Sequence, residues 1–391
     1  MKKVIRILSL LIFLIILSGC FKLEDKELKE INLQLEGMSI REKIGQMLII
    51  YNDHTYLTED FKEELIENQV GGYIIFDRNI TTYNDTKKFI EDVSNSTKIP
   101  MFIAVDQEGG KVQRLLSVSD KDATYIPDMS KVGDYNNPNL SYNIGTIIGK
   151  ETRSLGINLV FSPVLDVGNY KTSPLKKRLL SNNPEIVANN GIELAKGIYD
   201  SGVIPVFKHF PGIADTTVDS HYDLPVINKT IEDLRKKELI PFIKAINNDR
   251  YQAEMMMIGH VNYPLITNNN IPSSLSKEIV NDLLRDELGY NGVVIIDAIN
   301  MDALRDNYSE KEIFELGINA SIDIFLMPDD SKIAIDYIEE LLESGKITEE
   351  QIDNSVRRIL KLKRKYLNNF TSLEEEYFGN EEHEKVVSVV K

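Results

Sequence analysis

Cysteine is almost absent from this chain: Cys20 is the only one in 391 residues. A lone thiol can form neither an internal disulfide nor a thiolate zinc site, so the fold must be held by its core. Positive charge is also in short supply, with 45 Lys and Arg against 61 Asp and Glu and a net charge of −16. Binding a phosphate backbone draws on a basic surface, which argues against a nucleic-acid partner and for a neutral or polar substrate. No repeat of solenoid length and no low-complexity tract is present. The apolar run Ile7–Leu17 is too short to span a bilayer comfortably.

That run has a different reading. Lys2, Lys3 and Arg6 precede it, as in the positive region of a secretory signal, and Leu17-Ser18-Gly19-Cys20 closes it. The closing tetrapeptide resembles a bacterial lipobox, in which the cysteine sulfur takes a diacylglycerol and becomes the mature N-terminus. The expectation is a signal peptide over residues 1–20, lipidation at Cys20, and an extracytoplasmic protein anchored to the cell membrane through its lipid. Residues 21–36, rich in Lys, Glu and Asp with spaced leucines, read as a tether that ends in an entry helix.

From there on, apolar runs of strand length alternate with amphipathic helical stretches. The strand candidates are Ile44–Ile50, Gly72–Phe76, Met101–Asp106, Leu159–Asp166, Ile204–His209, Met255–His260, Val293–Asp297 and Ile322–Met327. Eight such units predict an α/β fold, a (β/α)8 TIM-type barrel, in a single catalytic domain over residues 37–370. Ile352, Val356, Ile359, Leu360 and Leu362 are spaced for a helix packing back on the barrel, and residues 371–391 form an acidic C-terminal tail. Polar residues gather where strands end, which is where barrel enzymes carry their chemistry. Asp106-Gln107-Glu108-Gly109-Gly110, Lys208-His209-Phe210-Pro211-Gly212, Gly259-His260 and Asp297 all fall there.

The segment Lys208-His209-Phe210-Pro211-Gly212-Ile213-Ala214-Asp215-Thr216-Thr217-Val218-Asp219-Ser220-His221 resembles the signature of glycoside hydrolase family 3. The branch it resembles is the β-N-acetylglucosaminidases, whose loop carries an Asp-Ser-His acid/base dyad. The likeness extends from about Met38 to Leu367 and includes Gly71–Phe76 with Arg78-Asn79, Val105–Gly110 with Arg114-Leu115, and Asp297–Met301. It implies a retaining exo-β-N-acetylglucosaminidase that removes terminal β-linked N-acetylhexosamine. Peptidoglycan fragments or muropeptides are its implied substrates, and no metal or cofactor is needed.

The residue types suit acetal cleavage on their own account. A retaining glycosidase needs a carboxylate to attack the anomeric carbon and a second group to protonate the leaving oxygen and then deprotonate water. Asp297, ending an apolar strand, suits the nucleophile, although an isolated strand-end aspartate often only caps the next helix. His221 can give and take a proton near neutrality, and Asp219 two residues earlier can orient its imidazole. By the resemblance, Asp106, Arg114, Arg178, Lys208 and His209 bind the terminal sugar, with Asp106 accepting from hydroxyls and the cations donating. His260 is expected to be a buried histidine bonded to backbone, and Asp166 a supporting residue.

Ile213 and Ala214 replace the family's usual His-Gly, and Leu179-Leu180 follows Arg178 where Ser-Phe is usual, so specificity is less well defined than reaction type. Two alternatives remain: a β-N-acetylglucosaminide phosphorylase using the same residues, and a non-catalytic lipoprotein that binds cell-wall sugar. A β-glucosidase or β-xylosidase is disfavoured by the Asp-Ser-His loop.

Overall fold

The computed structural model describes residues 26–216 and 224–390. Eight parallel strands make up its main sheet: β1 (Leu48–Ile50), β2 (Gly72–Ile75), β3 (Phe102–Val105), β4 (Leu159–Val160), β5 (Ile204–Phe210), β6 (Met255–Ile258), β7 (Val293–Ile296) and β8 (Phe325–Leu326). Their spatial order is β8-β1-β2-β3-β4-β5-β6-β7. The two ends of that order meet, because Ile295 bridges Ile324 and the Ile296 N–H donates to Ile324 O at 3.0 Å. The result is the expected (β/α)8-type barrel. Nearly all strand residues are buried, which is why these segments read as continuous apolar runs without alternation.

Helices between the strands begin where the sequence provides caps. Asn137 and Asn183 accept from backbone N–H groups at the starts of Pro138–Ser154 and Pro184–Asp200, each with proline in the first turn. These two helices approach closely through glycine: a Cβ on Gly145 would lie 2.0 Å from Leu194 O, and one on Gly197 2.0 Å from Tyr142 O. The helix Glu349–Leu367 starts at a Thr348/Gln351 capping box and buries Ile352, Val356, Ile359, Leu360 and Leu362, as their spacing predicts.

Two strand expectations need correction. Ile44 lies in the helix Ile40–Gln46, and only Leu48–Ile50 pairs; Gly45-Gln46 interrupts the apolar residues at the end of the helix, so the strand is the shorter apolar run after it. The run Leu159–Asp166 contributes Leu159–Val160 to the sheet as a strand; beyond it the chain stays beside β5 less regularly, with Val164 bridging Lys208, the Val206 N–H donating to Ser162 O at 3.1 Å and the Leu165 N–H to Lys208 O at 2.6 Å. Pro163, lacking an N–H, cannot extend a ladder on both sides.

Residues 26–36 are helical. Cys20 and the expected leader lie outside the described residues. Among the described residues no helix is long and apolar enough to cross a membrane. The acidic C-terminal segment packs on the barrel's helices: Phe378 meets Tyr83 edge-on at 5.2 Å between ring centroids. The buried Glu151 accepts from the Gly379 N–H at 3.1 Å and pairs with His383 Nδ1 at 2.9 Å.

Lys363, on the long C-terminal helix, is fully buried. Its amine donates to Gln46 Oε1 at 2.7 Å and lies 4.9 Å from the Phe102 ring centroid. Burial holds its pKa well below the ordinary lysine value. For a base, a depressed folded-state pKa means that the unfolded chain binds the extra proton, so stability rises with pH until the unfolded amine titrates near about 10.4. The stability of the wild type to urea should therefore increase as pH rises toward that unfolded value, by up to about 1.4 kcal/mol per pH unit. In Lys363→Met that rise should be flattened, and an equal rise in both proteins would acquit Lys363.

Candidate active site

At the C-terminal mouth of the barrel lies a cavity of about 330 Å³ whose wall includes Asp106, Glu108, Arg114, Arg178, Lys208, His209 and Asp297. Six of these were singled out from the sequence, and they arrive from β3, β5, β7 and the loops after β3 and β4. A closed barrel brings such distant segments to one rim.

Asp297 follows the last residue of β7, and its own N–H donates to Ile258 O at 3.0 Å, so its backbone is still held by the barrel. Its Oδ1 accepts from the Ala298 N–H at 2.8 Å. Burial alone would raise its pKa; His209, His260 and Lys208, with the Ala298 N–H, outweigh burial and hold the carboxyl below the usual aspartate value. Asp297 is therefore an ionised carboxylate facing the cavity at neutral pH.

The cavity wall also holds a buried ionic network. Lys208 Nζ lies 2.9 Å from Asp106 Oδ1 and 2.6 Å from Glu108 Oε1. Arg178 grips Glu108 with a two-pronged contact, Nε to Oε2 and Nη2 to Oε1, both at 2.8 Å. Burial opposes the charge on each of the three, yet their mutual attraction wins: Glu108 is held well below the usual glutamate range, and Lys208 and Arg178 are raised. Arg114 is more loosely placed, with Nη2 4.0 Å from Asp106 Oδ2 and its guanidinium 5.7 Å from the Phe76 ring centroid.

His209 donates from Nδ1 to Asp166 Oδ2 at 2.7 Å, which fixes its tautomer and turns Nε2 toward Arg178 Nη2 at 3.4 Å. Asp166 also accepts from the His209 and Ile213 N–H groups, at 3.0 and 2.6 Å. It is thus the supporting residue expected. His260 is buried, with Nε2 3.1 Å from Ala298 O and Nδ1 2.8 Å from Ser274 Oγ, a backbone-bonded histidine as expected. Among the described residues no group of three or more His, Cys, Asp or Glu could hold a metal ion.

Asp219 and His221 lie outside the described residues. The departures around them leave the neighbouring contacts in place. Ile213 lines the cavity while its N–H reaches Asp166, and the buried Leu179 and Leu180 follow an Arg178 that still meets Glu108. In the sequence Glu108 stands inside the Asp106–Gly110 motif with no role of its own. The signal available was its i,i+2 relation to Asp106, which puts both carboxylates on one side of an extended segment.

An ionised carboxylate at a strand end, facing a cavity walled by fixed cations, carboxylates and a tautomer-locked histidine, is the arrangement of a glycoside hydrolase built on a barrel. Residues 39–362 match the glycosyl hydrolase family 3 N-terminal domain. The chain belongs to that family. It is 31% identical over 361 residues to beta-hexosaminidase A of Pseudoalteromonas piscicida, covering 85% of this chain and 60% of that protein. It is 32% identical over 297 residues to the beta-hexosaminidase of Nitrosomonas eutropha, covering 74% of this chain and 81% of that protein. The family 3 beta-N-acetylglucosaminidase from Paenibacillus sp. str. FPU-7 superposes with a TM-score of 0.83 at 32% identity, covering 90% of this chain and 68% of that one. The chain thus spans less than two thirds of the Pseudoalteromonas protein.

Proposed function

We propose that this chain is a retaining exo-β-N-acetylglucosaminidase acting on terminal β-linked N-acetylhexosamine, with peptidoglycan fragments as substrates. The observation that carries the reading is Asp297, an ionised carboxylate fixed to the barrel at the cavity wall. In the reaction, an Asp297 oxygen attacks the anomeric carbon and the glycosidic bond breaks; the leaving oxygen takes its electron pair and a proton from His221, which Asp219 orients. His221 then deprotonates a water that attacks the same carbon, and the Asp297 ester is released as carboxylate. Asp106, Arg114, Arg178, Lys208 and His209 hold the sugar hydroxyls. Relatives named beta-hexosaminidase and beta-N-acetylglucosaminidase support the substrate class. Lipidation at Cys20 and attachment to the outer side of the cell membrane complete the proposal, on the strength of the lipobox-like sequence.

The test is release of 4-nitrophenol from its β-N-acetylglucosaminide by the chain starting after Cys20, alongside His221→Ala, with and without phosphate. Turnover that drops about 10²- to 10⁴-fold in the variant supports the acid/base role. Strong acceleration by phosphate would convert the reading to a phosphorylase. Well-folded protein that binds N-acetylglucosamine without turnover would leave a sugar-binding lipoprotein.

A further inference from the structure

The loop after β5 leaves the barrel at Pro211 and reaches the helix Ile231–Lys236, and its middle carries Asp219 and His221 in sequence. Its two described stems, residues 211–216 and 224–230, are fastened separately. On the outgoing stem the Ile213 N–H donates to Asp166 Oδ1 at 2.6 Å, and the Tyr263 hydroxyl donates to Gly212 O. On the returning stem the Asn262 N–H donates to Pro225 O at 2.8 Å, and the Ile227 N–H to Asn262 O at 2.9 Å.

One side chain joins the two stems. Lys229, on the returning stem, donates to Asp215 on the outgoing stem and, at 2.8 Å, to Glu238 Oε1. Glu238 is 2% exposed and sits beneath Gly212, where an added Cβ would come within 3.0 Å of the Glu238 Cβ. The ammonium is therefore anchored from below by a buried carboxylate and reaches across to the opposite stem. Thr216, the next residue after Asp215, lines the cavity together with Pro225 from the returning stem. The clamp thus stands directly behind the wall of the site.

We infer that Lys229 is a positioning residue for the acid/base pair, setting through Asp215 and Glu238 the separation of the two stems that flank that pair in the sequence. The inference rests on the glycosidase reading above and on the role it gives His221. A proton donor works only within hydrogen-bond reach of the leaving oxygen, and a misplacement of about 1 Å can cost about 10²-fold. The nucleophile is held independently on β7 by Ile258 O and the Ala298 N–H, so loosening the clamp leaves Asp297 where it is.

That independence provides a readout that general loosening of the protein would not produce. A 2,4-dinitrophenolate departs without a proton, whereas the alkoxide of a β-1,4-linked N-acetylglucosamine disaccharide does not, and kcat/KM reports the step in which it departs. In Lys229→Met, kcat/KM on the disaccharide should fall at least about 30-fold, while that on the dinitrophenyl glycoside should change by less than about 3-fold. Lys229→Arg should restore most of the loss. Asp215→Asn, which breaks the same bond from the other stem, should repeat the selective defect and stands in if Lys229→Met does not fold. Equal losses on both substrates, or an unchanged disaccharide rate in folded variants, would overturn the inference. Wild-type protein that turns over neither substrate would instead remove the glycosidase reading beneath it.

Discussion

Replacing Asp297 with alanine is expected to lower kcat/KM on an aryl β-N-acetylglucosaminide by about 10⁴-fold or more, with thermal stability lowered only modestly. The loss should be this large because, among the described residues, the other carboxylates lining the cavity are already engaged. Asp106 and Glu108 are committed to Lys208 and Arg178. Stability should fall only modestly, because the cations that hold this carboxyl below its usual pKa lose their partner while its desolvation cost disappears with it, and the Ala298 N–H is, among the described residues, the hydrogen bond given up. The covalent step can be seen directly: a slowly hydrolysed fluorinated substrate should add one glycosyl mass to the wild type, in the peptide containing Asp297, and none to Asp297→Ala. An adduct on another residue, or activity in the variant near that of the wild type, would move the nucleophile elsewhere.

Glu108→Gln should be the most damaging change at a residue without a proposed chemical step. The glutamine keeps the shape but withdraws the charge that holds Lys208 and Arg178 together in a buried place. Leaving two cations under-compensated typically costs about 3 to 5 kcal/mol. The sugar-facing donors should lose their alignment as well, so KM should rise along with the fall in melting temperature. The pH dependence identifies the cause. Because Glu108 is held below the usual glutamate range in the folded state, its contribution is present above the unfolded value near about 4.3 and is lost as pH falls through the folded value. The stability gap between wild type and Glu108→Gln should therefore be widest above pH about 4.5 and narrow on acidification. A gap that stays constant down to acid unfolding would point to packing and not to charge.

The barrel was legible because its strands are buried on both faces: Val293–Ile296 and Met255–Ile258 are unmixed apolar runs whose ends are marked by Asp297 and His260. Much of the cavity wall was legible for the same reason, since a residue just past such a run has to lie at the barrel mouth. Between Ile44 and Leu48 the mark of the switch from helix to strand was slight, the single pair Gly45-Gln46 inside an otherwise apolar stretch. Glu108 was hidden differently. Its importance lies in partners 70 and 100 positions away, Arg178 and Lys208, and nothing local announces which carboxylate of a motif will meet them. Lys229 and Glu238 likewise look like ordinary surface charges until folding brings Asp215 beside them.

The meeting of β8 with both β1 and β7 also imposes an order on biosynthesis. Leu48 and Ile49 find their partners in Phe325 and Leu326, and Ile295 finds its partner in Ile324. A ribosome must therefore make most of the polypeptide before either open edge of the growing sheet can be sealed. The nascent chain should remain an unclosed, protease-sensitive strip, in need of holding by chaperones, until the segment around Phe325 emerges. Shortened chains that stop before that point should be insoluble even though every residue of the proposed catalytic apparatus has already been made.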